Sequence, residues 1–351
     1  MSVYLNRIEA VVPPYEGHDE SIGFLSKFVA SSDQYKKFIA IANRLGIDRR
    51  YTVLKHFFSE NGIPSEAFYH SNRFPSTQER MERYQKEAFP LAAQAIIPLQ
   101  TQELSSVTHL IVTSCTGFYA PGVDVDIIQR LGLRTTVHRT FIGYMGCFAA
   151  ISGLKLARDI VRAQPESKVL MVNLELCTLH WRRDHVPFDQ LISFLLFADG
   201  CAASLISSEP VGLKLKEFYS VIIPESLSLM RWTIGNDGFF MSLDSQLPSF
   251  ISQGIRNEKK KILNGFSVND FNFCAIHPGG RTILEAVQSE LDLEDSKMKP
   301  SYEILRNYGN MSSPTIMFIL RKFLEDSSSK GLGCGMAFGP GLTIESFLFE
   351  K

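Results

Sequence analysis

From His109 onward the chain alternates between short apolar runs and segments with apolar residues at helical spacing, and this alternation restricts its fold more than any other feature. The predicted elements are strand 109–117, helix 123–133 closed by a glycine, strand 135–144, helix 147–163 and strand 168–176. The last strand, KVLMVNLEL, is almost wholly apolar, which is typical of a strand buried on both faces. Strands that alternate with helices predict an α/β protein with layered, mixed sheets.

A second course of the same kind follows residue 206. FNFCAIHPGG predicts a strand, RTILEAVQSEL and TIMFILRKFL predict helices, and GLGCGMAFGPG is expected to form a glycine-rich loop. The first hundred residues show mainly helical spacing, and one of their helices opens on a cap at Ser76. We therefore expect two similar halves, residues 1–206 and 207–351.

Composition excludes several classes of protein. Of the 351 residues 45% are apolar and 21% charged, enough for a sizeable core, and the net charge of −1 gives no electrostatic footprint for nucleic acid or an anionic membrane. No stretch approaches the roughly 18 apolar residues of a membrane span, and the first residues lack the apolar core of a signal peptide. We expect a soluble, cytoplasmic protein without a nucleic-acid or membrane partner.

The cysteines fall singly along the chain, which argues against a zinc site or a disulfide scaffold. Most of them are expected to be buried structural thiols. Cys147 differs, because it follows Gly143 and Gly146 and comes immediately before a predicted helix. A helix N-terminus favours negative charge, so we expect the pKa of this thiol to be lowered.

Two further polar residues occupy the same kind of position. His277 follows a predicted strand and Asn310 precedes a predicted helix. In α/β folds, sites gather where strand ends run into helix starts. Taken singly, each residue could instead serve the structure: His277 as a loop residue bonded to backbone, and Asn310 as a helix cap.

The motifs GYMGC, AIHPGGR, NYGNMSS and AFGPGL, in this order and spacing, closely resemble those of the thiolase-fold condensing enzymes. More narrowly, they resemble the chalcone synthase-like type III polyketide synthases. The resemblance implies a thiolase-like five-layer αβαβα fold with two pseudo-equivalent halves, assembled as a homodimer.

The resemblance also implies an activity. Cys147 would take an acyl group from an acyl-CoA as a thioester, and His277 would form an ion pair with its thiolate. His277 and Asn310 would together stabilise the enolate formed when malonyl-CoA loses CO₂. Because decarboxylation supplies the carbanion, no metal or redox cofactor is implied, and the coenzyme A thioesters are substrates.

Other residues fall at the family's substrate positions. Phe197 matches an aromatic gatekeeper, unless it is simply a core phenylalanine. Arg49 and Arg50 lie in the region that would hold the CoA phosphates, unless their role is purely one of surface charge. The remaining residues implied to contact substrate are Thr116, Ala120, Cys177, Trp232, Met241 and Ser312.

Four of these positions bear on the starter. The resemblance implies that Thr116, Ala120 and Cys177 open a tunnel for an alkyl chain beside Cys147, with a small residue at Ala120 leaving room for it. Trp232 would shrink the main cavity. Together they favour a medium- or long-chain fatty acyl starter and alkylpyrone or alkylresorcinol products. Cys115 also occurs in malonyl-primed tetrahydroxynaphthalene-type synthases, so that product class stays open. Two other functions also stay open. One is a ketoacyl-carrier-protein synthase that performs a single condensation, and the other is a non-catalytic acyl-CoA-binding protein.

Overall fold

The computed structural model describes residues 1–29, 31–56, 58–59, 67–70, 73–99, 104–182 and 188–351. The strands are β1 (Val3–Val11), β2 (Tyr15–Glu16), β3 (Tyr51–Thr52), β4 (Phe58–Ser59), β5 (Tyr69–His70), β6 (His109–Ser114), β7 (His138–Gly143), β8 (Val169–Leu176), β9 (Asp199–Ser207), β10 (Leu213–Ile222), β11 (Met230–Gly235), β12 (Gly238–Leu243), β13 (Phe271–Ile276), β14 (Leu332–Gly339) and β15 (Thr343–Glu350).

The helices are α1 (His18–Leu25), α2 (Ser32–Arg44), α3 (Thr77–Ile96), α4 (Val123–Leu131), α5 (Ala149–Ala163), α6 (Phe188–Leu196), α7 (Leu247–Ile262), α8 (Arg281–Leu291), α9 (Asp295–Tyr308) and α10 (Pro314–Glu325). The predicted strand–helix alternation from His109 onward is confirmed. Every residue of β8 is buried, and Gly132 ends α4 in the left-handed conformation, as its sequence predicts.

Within the described residues, nine strands form one continuous mixed sheet in the order β13-β14-β15-β10-β1-β9-β8-β6-β7. The pairs β6–β7, β6–β8 and β13–β14 are parallel, and the other pairs are antiparallel. β1 joins the halves, because it pairs with β9 on one side and with β10 on the other. The strands on either side of this seam therefore come from different parts of the chain.

The expectation that the first hundred residues are mainly helical is wrong for residues 3–11. This segment forms β1, in which Val3, Leu5 and Ile8 are buried. Its polar residues interrupt the apolar alternation, and a bulge after Leu5 shifts its period. The helices predicted for this region do form, and α3 begins with a capping box between Ser76 and Glu79.

Three apolar clusters fix the layers. The first packs α3 against β8 and β9, and the second places α5 and α10 between the strands of the two halves. The third packs α7, α8 and α9 against the outer face of β13 to β15. Helices therefore cover both outer faces and fill the centre, which is the αβαβα arrangement that the resemblance implies.

The glycine-rich segment is a strand rather than the expected loop. Gly333 and Gly335 lie in β14, directly opposite the rings of β15. A Cβ atom on Gly333 would come within 2.2 Å of the Phe349 ring, and one on Gly335 within 2.1 Å of the Phe347 ring. The glycines therefore make room for aromatic side chains across the hairpin.

None of the helices in the described ranges has both the length and the apolar character that a membrane crossing requires.

Candidate active site

Cys147 lies in a single 3₁₀ turn, Gly146–Phe148, which runs directly into α5. The backbone before it is tightly constrained, since Tyr144 has φ of 58° and Gly146 has φ of 74°. A Cβ atom on Gly146 would lie 2.5 Å from Cδ of Pro340. Glycine is therefore needed at this position both for its left-handed conformation and for the close approach of the turn after β14.

His277 follows β13 and is completely buried. Its backbone N–H donates to the carbonyl of Met336, but neither ring nitrogen has a hydrogen-bond partner among the described residues. A histidine kept for structure alone would have its ring bonded, because an unsatisfied buried polar group costs about 1–3 kcal/mol. This finding argues against a backbone-bonded loop role and favours a ligand-facing imidazole.

Asn310 connects three parts of the site. Its Oδ1 accepts from the N–H of Ser312 at 2.8 Å, and its Nδ2 lies 3.5 Å from the carbonyl of Gly279, two residues after His277. Hydrogen bonding from the side chains of Ser312 and Asn310 lowers the pKa of the Cys147 thiol. The N-cap of α10 is Ser313, so Asn310 is not the cap of that helix.

The backbone of Asn310 is held by the segment that carries Phe197. Its N–H donates to the carbonyl of Leu196 at 2.9 Å, and its carbonyl accepts from the N–H of Ala198 at 2.9 Å. These bonds form an isolated parallel bridge between Phe197 and Asn310. The backbones of Phe197, in the N-terminal half, and Asn310, in the C-terminal half, are thus fixed to each other.

Burial dominates the electrostatics of the Cys147 thiol. It raises the pKa of Cys147 to about 11, against the opposing hydrogen bonds from Ser312 and Asn310. Burial also lowers the pKa of His277 to about 3. The expectation of a lowered thiol pKa is therefore wrong for this structure, because desolvation by burial exceeds the effect of one helix start.

An apolar cavity of about 40 Å³ adjoins Cys147. Six of the predicted substrate residues line it: Thr116, Cys177, Phe197, Trp232, Met241 and Ser312. Phe197 therefore borders the cavity and is not confined to the core. Trp232 is fixed across the cavity by its Nε1–H, which donates to the carbonyl of Cys115 at 2.7 Å.

Ala120 is not brought to this cavity. It is exposed, and it lines a separate surface depression with Tyr84, Phe118 and Phe141. The chain turns outward at Gly117, where a Cβ atom would lie 2.0 Å from the Tyr84 ring. Within one chain, Ala120 therefore does not open a tunnel beside the nucleophile.

Arg50 is not placed to bind a CoA phosphate. It is 2% exposed, and its guanidinium donates to the backbone carbonyls of Phe194 and Phe197 at 2.8 and 2.7 Å. Its bonded donors therefore point into the protein, and its other terminal nitrogen is buried without a partner among the described residues. Arg49 is exposed, and its contact with CoA stays a prediction.

Two residues at the cavity were not identified from sequence. His180 lines it, with Nε2 donating to the carbonyl of Thr116 at 2.7 Å and Nδ1 accepting from the N–H of Phe239 at 3.2 Å. Nothing in the local sequence pattern marks His180 as a cavity residue. Glu175 is the second residue, and it is buried behind the cavity. For Glu175 a signal existed, since it is the single charged residue within the apolar run of β8.

Glu175 is bonded by three donors: the N–H of Cys115 at 2.9 Å, Thr116 Oγ1 at 2.8 Å and Ser313 Oγ at 3.0 Å. Burial nevertheless raises the pKa of Glu175 to about 7, because desolvation outweighs those hydrogen bonds. The carboxyl group therefore joins the end of β6 to the start of α10 while titrating near neutral pH.

This raised pKa predicts a pH-dependent effect of Glu175→Gln on stability. The folded state holds the proton up to about pH 7, whereas the ordinary value for Glu is 4.5, so the wild type loses stability as pH rises between these values. The shift corresponds to about 3 kcal/mol. Relative to wild type, the variant should gain stability by that order between pH 4.5 and 8, measured by urea unfolding.

Glu166→Gln, at an exposed turn, is the matched control and should follow the wild-type profile. Parallel pH profiles for Glu175→Gln and wild type would contradict the assignment.

Comparison with known proteins places this geometry in a family. Residues 24–210 match the N-terminal domain of the chalcone and stilbene synthases, and residues 214–351 match the C-terminal domain. The chain is 33% identical over 299 residues to an alpha-pyrone synthesis polyketide synthase-like protein, Pks18, of Mycobacterium tuberculosis. That match covers 79% of this chain and 75% of the relative.

Solved structures show the same fold. The C-terminal type III polyketide synthase domain of Steely1, a type I/III hybrid from Dictyostelium, superposes with a TM-score of 0.90 at 24% identity, over 100% of this chain and 99% of that one. The 1,3,6,8-tetrahydroxynaphthalene synthase of Streptomyces coelicolor superposes with a TM-score of 0.85 at 23% identity, over 99% of each chain. Because both family domains match in order and together span most of the sequence, the chain belongs to the chalcone and stilbene synthases and is a type III polyketide synthase, an acyltransferase of the condensing-enzyme class.

Proposed function

We propose that this synthase transfers a fatty acyl group from an acyl-CoA to Cys147, extends it with malonyl-CoA, and releases a cyclised alkylpyrone or alkylresorcinol. The observation that carries the proposal is the contact of the Cys147 thiol with the Asn310 amide at the wall of an apolar cavity. The ring of His277 is buried with neither nitrogen bonded among the described residues, and we propose that it faces Cys147 as a base and a hydrogen-bond donor.

In the proposed acyl loading, the Cys147 thiol is the nucleophile and the His277 ring is the base. As Sγ of Cys147 attacks the thioester carbonyl, its proton passes to the free ring nitrogen of His277, and a new C–S bond forms. The C–S bond to CoA then breaks, and the CoA thiolate takes the proton back from the imidazolium.

Extension uses the same residues as donors. Asn310 Nδ2 and the N–H of neutral His277 would bind the thioester oxygen of malonyl-CoA, where negative charge develops as CO₂ leaves. The resulting enolate carbon attacks the acyl group on Cys147, and the Cys147 thiolate is released. Decarboxylation supplies the carbanion, so the proposal requires no metal or redox cofactor.

CoA has a candidate binding site at the mouth of a second cavity, of about 440 Å³. Arg44 and Arg281 border it, together with Gly279 and Gly280, which follow His277. Ser193 lines both cavities, so a pantetheine arm that passes α6 would reach Cys147. We propose Arg44 and Arg281 as the residues that bind the CoA phosphates, with exposed Arg49 close in sequence.

The size of the cavity beside Cys147 favours a second candidate. A volume of about 40 Å³ holds one to three waters at most, and a long acyl chain would have to displace Trp232. A malonyl starter is small enough to need no such movement, and Cys115 lines the cavity. A malonyl-primed, tetrahydroxynaphthalene-type synthase is therefore the second product class.

The function is tested by incubating the protein with malonyl-CoA and a series of starters from acetyl-CoA to palmitoyl-CoA, with products identified by mass spectrometry. We expect tri- or tetraketide products from the medium and long starters. Cys147→Ala, which has no nucleophile, should give none. Tetrahydroxynaphthalene from malonyl-CoA alone would favour the second candidate, and a single β-ketoacyl product would contradict both.

Trp232 should control the length of the starter. Trp232→Ala removes the cavity wall, and we expect it to raise kcat/KM for palmitoyl-CoA relative to acetyl-CoA by about tenfold, since each buried CH₂ contributes about 0.8 kcal/mol. Trp232→Phe keeps most of the bulk but loses the bond to Cys115, so it separates size from hydrogen bonding. Equal changes across all chain lengths would show that Trp232 is not the limiting wall.

We also propose that the protein is a homodimer. β7 is an edge strand of the main sheet, and its residues from His138 to Phe141 are exposed. Phe141 and Met145 present large apolar side chains on this side, with exposures of 39% and 44%. An exposed edge with apolar neighbours favours pairing with a second copy.

Light scattering in solution should therefore give twice the chain mass of 39.5 kDa. Phe141→Lys, which puts charge into the apolar patch, should shift the mass toward one chain. A wild-type mass of one chain at micromolar concentration would contradict the dimer.

A further inference from the structure

Arg50 is a buried cation whose hydrogen bonds converge on one segment of backbone. It follows α2 in the chain and is 2% exposed. One terminal nitrogen donates to the carbonyls of both Phe194 and Phe197, at 2.8 and 2.7 Å. Its Nε donates to Nδ1 of His18 at 3.0 Å. A single side chain thus fixes the last turn of α6 and the residue that borders the cavity.

The two carbonyls are groups that a helix end leaves without partners. α6 ends at Leu196, and the chain then turns into β9 at Asp199. Cations near a helix C-terminus are favourable, because they complement its partial negative charge. Arg50 therefore sets where α6 stops and how the backbone of Phe197 leaves it.

The same side chain touches the loop that carries Asn310. A Cβ atom on Gly309 would lie 2.8 Å from Cγ of Arg50, and Gly309 has φ of 67°. The next residue, Asn310, is bonded through its backbone to Leu196 and Ala198. Arg50 thus packs against Gly309 on the Asn310 side of the bridge, and it donates hydrogen bonds to the segment that carries Phe197 on the other side.

Burying a guanidinium is costly unless it is compensated. Burial lowers the pKa of Arg50 to about 9, with Glu16 and Asp199 opposing this effect, so the group stays charged at neutral pH. The partner His18 is an acceptor, because burial and the Arg50 charge lower its pKa to about 4. A wholly apolar residue would avoid the cost of the charge but would leave the two carbonyls unbonded.

We propose that Arg50 is a positioning residue for the condensation: it fixes the Phe197 backbone and, through the bridge at 196–198, the amide of Asn310 against Cys147. This role rests on the proposed function, since it assigns Asn310 to malonyl decarboxylation. It replaces the CoA-phosphate role that the sequence suggested for Arg50.

The test separates the step that uses Asn310 from the step that uses Cys147. In Arg50→Lys, the shorter, non-planar group cannot bond both carbonyls and His18 together. We expect CO₂ release from malonyl-CoA to fall about 10- to 100-fold, since a misplacement of about 1 Å costs that order. Acyl loading of Cys147, followed by intact-protein mass after mixing with acyl-CoA, should fall less than about threefold if misplacement is confined to Asn310.

Arg158→Lys is the matched control. Arg158 is another buried arginine that donates to a backbone carbonyl, that of Lys216, on the part of α5 remote from Cys147. Its substitution should leave both rates near wild type. His18→Ala, which keeps both carbonyl bonds of Arg50, should reduce CO₂ release less than Arg50→Lys and is available if Arg50 variants fold poorly.

A double-mutant cycle with Asn310→Ala decides the matter. If Arg50 acts through Asn310, adding Arg50→Lys to Asn310→Ala should cause no further loss of CO₂ release. Additive losses, or equal losses in loading and CO₂ release that follow a lowered unfolding temperature, would overturn the proposal. Failure of wild type to release CO₂ or form any ketide would instead overturn the proposed function.

Discussion

The candidate active site depends on a close contact between the turn at Gly146, in the N-terminal half, and the ring of Pro340, in the C-terminal half. The turn at Gly146 lies against Pro340, at a distance that leaves no room for a side chain on the glycine. That contact places Cys147, the proposed nucleophile, beside the loops of the C-terminal half. The bridge between Phe197 and Asn310 repeats the arrangement with a second pair of segments. Each half alone thus holds only part of the chemistry.

Burial determines how the chemistry starts. Burial raises the pKa of the Cys147 thiol and lowers the pKa of the His277 imidazole, so it favours the uncharged form of each group. In the proposed reaction, charge would develop once a thioester is bound. In an apolar cavity, fixed hydrogen-bond donors stabilise developing charge more strongly than water-exposed ones.

Much of this site was predictable from sequence because it lies where strands end and helices begin. Cys147 and His277 each stand at such a junction, and Asn310 lies between α9 and α10, so local periodicity is enough to locate these boundaries. The residues of the cavity wall were harder to predict. His180 is held there by two hydrogen bonds, and no spacing in the sequence indicates them. Ala120 and Arg50 were predicted to contact substrate, and the structure places neither of them there. Their positions in the sequence match those of substrate residues in the family. The direction of the chain at Gly117 and the burial of the Arg50 guanidinium, however, are tertiary properties that local sequence does not determine.

The seam at β1 has a consequence for how the protein reaches its fold. Val3 pairs with Leu215 and Val11 with Cys201, so the strand that unites the sheet waits for partners about two hundred residues away. Until they arrive, its apolar residues have no sheet to join. Contacts between residues so distant along the chain slow folding, and they prolong the exposure of unpaired, aggregation-prone strand edges. We therefore expect β1 to insert late in folding, and the two halves to form one continuous sheet only when that insertion is complete.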